Sequence, residues 1–151
     1  MDATYRPLLR TRGIRWMLFA ALLTLAQAAF ATPKIILNES VEFTNLDSAY
    51  LNQIFAMQIR KWPSGQAIQV FILPSTSSLH RKFVIDRLQI QAHQLDRIWN
   101  RMLFTGTGKA PTVVDSEDAM LKMIQTTPGA VGYVSKEYPA DGVRVLGGDQ
   151  P

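Results

Sequence analysis

The chain is expected to fold as an α/β domain, with a mixed or largely parallel sheet flanked by helices. Short β-branched apolar runs such as "KIILN" and "AIQVFIL" alternate along it with segments whose apolar residues recur at helical spacing. Pro and Gly punctuate the joints between them, and nothing repeats internally. Residues 32–151 are expected to form a single domain with one core, which this length supports.

"KIILN", Lys34 to Asn38, reads as a short buried strand. In "NLDSAYLNQIFAM", Asp47 or Ser48 can cap a helix whose apolar positions are Tyr50, Leu51, Ile54 and Phe55. "RKWPSGQ" is a turn, and "AIQVFIL" a buried strand. Leu79, Phe83, Val84 and Leu88 then form one helical face. A further helix is predicted from Ala92 to Phe104, with Leu95, Ile98, Trp99, Met102 and Leu103 turned inward; "TGTGKAP" is a loop. "TVV" is a short strand, and "DSED" opens a helix ending near Thr126, its acids suited to the positive helix start. "TPGAVGYV" is a turn into a strand, and "GVRVL" a last short strand.

The front of the chain has a different character. Arg6, Arg10, Arg12 and Arg15 precede the apolar run "WMLFAALLTLAQAAFA", which ends in small residues around Ala31. This is the order of a cleavable secretory signal peptide over residues 1–31, and it implies a periplasmic protein. The run falls short of the roughly 20 residues a bilayer span needs, which argues against an uncleaved anchor. Without the leader, four of the 16 Lys and Arg and one of the 12 Asp and Glu are lost, leaving 12 basic against 11 acidic. The basic character belongs mainly to the leader, and no basic stripe remains that would suit nucleic acid.

The chemistry available is narrow. The chain has no cysteine, so thiol catalysis and disulfides are both excluded. His80 and His93 lack partners at metal-ligand spacing and read as surface residues. Asp115, Glu117 and Asp118 read as helix-start residues rather than an acid–base pair, and no nucleophile or nucleotide motif is present. The expectation is a protein that is not an enzyme and needs no cofactor or metal.

What stands out is "VFILPSTSSLHRKFV", where Ser75, Thr76, Ser77 and Ser78 fall between a strand and a helix. Ser77 or Thr76 can simply cap that helix. A helix start also presents free N–H groups to an oxyanion, and four successive hydroxyls suit phosphate or sulfate. Both readings stand on these residues alone. Gly106, Thr107 and Gly108 are a second candidate, because glycine lets backbone approach a ligand. A helix-ending turn accounts for them equally well. Trp62 and Trp99 read as packing residues.

"LDSAYLNQIFAMQIRKWPSG", "IQVFILPSTSSLHRKF", "WNRMLFTGTGKAP" and "TTPGAVGYVS", in this order, resemble the phosphate ABC-transporter substrate-binding proteins (PstS-type), in particular short single-domain members. The resemblance implies a periplasmic binding protein type 2-like fold, here a single lobe, with an oxyanion bound at the helix start. Ser77 matches the serine of the family's Ser-Gly-Thr phosphate loop. Ser78 replaces its glycine and Leu79 its threonine. Ser75 stands where the family has an aspartate, Leu73 where it has an arginine, and Met57 where a glycine is common. Losing a charge-assisted donor costs on the order of 1.5–3 kcal/mol, which His80 or Arg81 would offset by pointing inward. The implied partners are phosphate or a similar oxyanion, an ABC permease or a membrane sensor, and a second copy as a homodimer. The implied alternative is a ligand-free periplasmic adaptor.

Overall fold

The computed structural model describes residues 32–43, 45–135 and 141–146. The expected leader, residues 1–31, lies outside the described residues. Five strands form one mixed sheet: β1 (Lys34–Asn38), β2 (Gln69–Ile72), β3 (Thr112–Val113), β4 (Ala130–Val134) and β5 (Val143–Leu146), in the order β3-β2-β4-β1-β5. β2 runs parallel to both β3 and β4, whereas β1 is antiparallel to both β4 and β5. The helices are α1 (Ser48–Phe55), α2 (Ser78–Asp86), α3 (Ala92–Thr105) and α4 (Glu117–Thr126). No helix among the described residues is long and apolar enough to cross a membrane.

Alternation along β4 sorts the helices into layers. A Cβ at Gly132 would lie 2.5 Å from Met120 Sδ and 3.2 Å from Ile124 Cδ1, so α4 packs on that face. Tyr133, the next residue, points to the other face, where its ring stacks on Phe83 of α2 at 3.9 Å and tilts against Phe55 of α1 at 6.1 Å. Trp99 joins α3 to the same layer by donating from Nε1 to the Phe55 carbonyl at 2.9 Å. With both faces covered, β4 is buried along its whole length, which explains its unbroken apolar run.

Local chemistry sets where elements begin and end. Asp47, Ser77 and Ser116 are the N-caps of α1, α2 and α4, accepting from the amides of Tyr50, His80 and Ala119. Glu117 accepts from the Ser135 amide at 2.7 Å, tying the α4 start to the end of β4. Buried Asn38 donates to the carbonyls of Ile124 and Gln125, satisfying the other end of that helix.

Two expectations are corrected. His80 is fully buried rather than at the surface. Leu103 is 57 % exposed rather than inward, because it lies beyond the side of α3 that buries Leu95 and Trp99.

Candidate functional site

The hydroxyl segment joins the end of β2 to the start of α2. Pro74 turns the chain, its carbonyl accepting from the Ser77 amide at 2.8 Å. The Ser77 hydroxyl caps α2 with a long bond, 3.4 Å, from the His80 amide. Ser75, Thr76 and Ser78 are exposed. Ser78 and Leu79 occupy the first two positions of the helix, so their amides have no intrahelical acceptor and point out of its positive end.

Arg81 supplies the charge beside these groups. From the first turn of α2 its guanidinium folds back over the segment and donates to the Thr76 carbonyl at 2.7 Å. A cation, two free amides and three exposed hydroxyls therefore surround one turn of chain. Such a set can hold a tetrahedral oxyanion through several donors at once.

Beneath the turn lies a clasp. The Tyr133 hydroxyl accepts from the Leu73 amide at 2.9 Å and stands 2.6 Å from His80 Nδ1. One side chain on β4 thus holds both ends of the segment, Leu73 before the hydroxyls and His80 after them. The Leu73 amide occupies a lone pair of the phenol oxygen. The phenol and Nδ1 share one hydrogen bond, and the tautomer of the imidazole sets which of the two donates. Nε2 is buried without a hydrogen-bond partner among the described residues. Burial lowers the His80 pKa below 6.5; Asp96 pulls it up and Arg81 pushes it down further. Burial raises the Tyr133 pKa despite the Leu73 amide, which lowers it, so the phenol stays protonated. His80 therefore contributes a neutral ring, and Arg81 alone of the two brings charge to the segment.

The second candidate segment is built as a helix end. Gly106 adopts a left-handed conformation, φ 63°, and caps α3. The Thr107 hydroxyl bonds to that of Thr105 at 2.8 Å, and Gly108 lies under the Arg60 guanidinium. No hydrogen bond joins 106–108 to 75–78 among the described residues. His93 is exposed, and among the described residues no group of three or more His, Asp or Glu could hold a metal ion.

Sequence reasoning missed both members of the clasp. The spacing held a signal: His80, Phe83 and Val84 stand at i, i+3 and i+4, the pattern of one buried helix face.

Solved structures share this arrangement of strands and helices. An ABC-type phosphate transport receptor from Vibrio cholerae is similar at 20 % identity with a TM-score of 0.55, over 76 % of this chain and 45 % of the receptor. A protein provisionally named as a phosphate ABC transporter substrate-binding protein, from Clostridium perfringens and solved with bound phosphate, gives 17 % and 0.60 over 76 % and 44 %. PstS from Borrelia burgdorferi gives 16 % and 0.57 over 76 % and 46 %. This chain has the fold of one part of such a receptor. It spans less than half the length of each of these proteins. No family model matches the sequence, and no curated protein does.

Proposed function

We propose that this protein is an exported solute-binding protein, not an enzyme, that holds phosphate or a related oxyanion at the start of α2 for an ABC importer. The observation that carries the reading is Arg81 folded over the hydroxyl segment beside the free Ser78 and Leu79 amides. Ser75, Thr76 and Ser78 add neutral donors, and Ser77 serves as the cap. The fold shared with phosphate receptors supports the ligand class, and the secretory character of residues 1–31 supports a periplasmic location.

Calorimetric titration with phosphate, and with sulfate as a second oxyanion, tests the proposal. Saturable heat is expected. Arg81→Gln should weaken binding about tenfold or more, the loss that follows from removing one charge-assisted donor of 1.5–3 kcal/mol. Ser77→Ala should cost about 1 kcal/mol of stability, as lost N-caps do, and weaken binding less than Arg81→Gln. No heat with either anion from a folded protein would retire the receptor reading.

A second reading, an adaptor that has kept the fold without the ligand, draws on Leu73 and Leu79. These apolar residues stand where the resembling family has an arginine and a threonine, and Leu73 is buried.

A further inference from the structure

Away from the hydroxyl segment, α3 and the chain just after α1 border a shallow groove that is open to solvent. Met57, Ile59, Ile98 and Met102 give it an apolar floor. Ile98 also lines a second, adjoining depression with Asn52, Ile90 and Gln94, so the two form one elongated track along α3.

Four cations border this track: Arg60 and Lys61 from the chain after α1, and Arg97 and Arg101 from α3. Neither depression has a carboxylate in its lining. Arg60 donates to the backbone carbonyls of Met57 and Thr107, and none of the four forms an ion pair with a described carboxylate. This is a concentration of one sign that the rest of the domain does not share, since residues 32–151 carry 12 basic and 11 acidic side chains. Beside the track stands Phe104, 91 % exposed. Helical spacing puts it at i+7 from Arg97 and i+3 from Arg101, on the stripe those arginines occupy. A phenyl ring held in water next to unpaired guanidinium groups is a recurrent composition of protein interfaces, where aromatic residues and arginine are enriched.

We propose that this groove docks an acidic amphipathic segment of another protein, its apolar ridge seated on Ile98 and Met102 and its carboxylates paired with Arg60, Lys61, Arg97 and Arg101. Charge complementarity selects the acidic partner. The exposed phenyl ring of Phe104 beside arginines, a composition enriched at protein interfaces, selects a protein segment over an anionic bilayer. The inference does not depend on the anion site and holds whether or not phosphate binds.

A photo-crosslinking amino acid in place of Phe104, in the full chain expressed in the cells that make it, provides the test. A control probe goes at exposed Thr112 on β3. The expected result is an adduct at 104, absent at 112, with one protein segment whose acidic residues outnumber its basic ones. The double variant R97E/R101E should lower that yield at least tenfold. Both positions are exposed, and circular dichroism checks that the variant stays folded. A synthetic peptide of the crosslinked segment should bind the purified protein with an affinity that falls as salt rises. No adduct above the control overturns the proposal. So does an adduct with lipid, an adduct with a second copy of this chain, or a yield unchanged by charge reversal.

Discussion

His80 and Tyr133 are the residues on which the candidate site rests, and their energetics can be followed from the burial of one ring. Tyr133→Phe would leave the Leu73 amide and His80 Nδ1 unpaired in the core. Leaving such buried groups unpaired costs about 1–3 kcal/mol, and urea unfolding should show a loss of that size. The imidazole adds a pH dependence whose sign follows from its lowered pKa. Below about pH 6.5 the unfolded chain takes up a proton that the buried ring resists. Stability should therefore fall as pH drops through that value and level off once the folded ring is protonated too. His80→Asn keeps an acceptor near Nδ1 and cannot titrate, so its unfolding free energy should lack this component between pH 8 and pH 5. An unchanged slope would mean that other groups produce the dependence. This pair also shows why the site was only half legible in the sequence. Four consecutive hydroxyls announce themselves, whereas a histidine among apolar neighbours reads as polar until the tyrosine 53 residues away is brought to it.

Elements were more legible than contacts, because caps and turns are local. Asp47, Ser77 and Ser116 sit where a sequence rule expects N-caps, and the "KIILN" strand runs from Lys34 to Asn38 as read. Met57 is instructive, since it stands where the resembling family has a glycine. It holds a left-handed φ of 59° just past α1, the conformation glycine adopts there at least cost. The glycines of "PGAVGYV" likewise have packing reasons. Gly129 has φ +75°, and a Cβ there would lie 2.2 Å from the Ala67 carbonyl oxygen. Its own carbonyl accepts from Trp62 Nε1 at 3.0 Å, so the turn cannot move away without breaking that bond. Gly106 has φ +63° but nothing within 4 Å of its Cβ position. The two positions thus separate backbone strain from collision. Gly106→Ala should cost about 1–2 kcal/mol, the ordinary left-handed penalty. Gly129→Ala should cost clearly more than that, or fail to fold, and parallel urea titrations of the two variants give the comparison. Equal losses would show that the Ala67 contact relaxes freely.

For the molecule as a whole, the chain order of the strands differs from their order in the sheet, and this is what the sequence concealed. Alternating strands and helices signal parallel pairing, yet β1 and β5 pair antiparallel. Nothing in an apolar five-residue run tells which way it will be laid beside its neighbours, since both orientations bury the same side chains. The consequence is a centre made of sequence-distant pieces. β4 lies between β2 and β1, and α4 covers it through Met120 and Ile124. β3 and β5 occupy the edges, where Val113 is 55 % and Val145 37 % exposed. Local opening should follow this gradient, since amides buried among paired strands exchange only when much of the fold opens, and edge amides exchange after small excursions. Hydrogen exchange read by mass spectrometry should find the slowest amides in β1, β2 and β4. Exchange in β3, β5 and the last turn of α3 near exposed Phe104 should be faster by an order of magnitude or more. Adding phosphate should slow exchange at the start of α2 if the anion sits there, and leave the α3 end unchanged. Protection at α3 in place of α2 would move the ligand to the groove and overturn the assignment of the site.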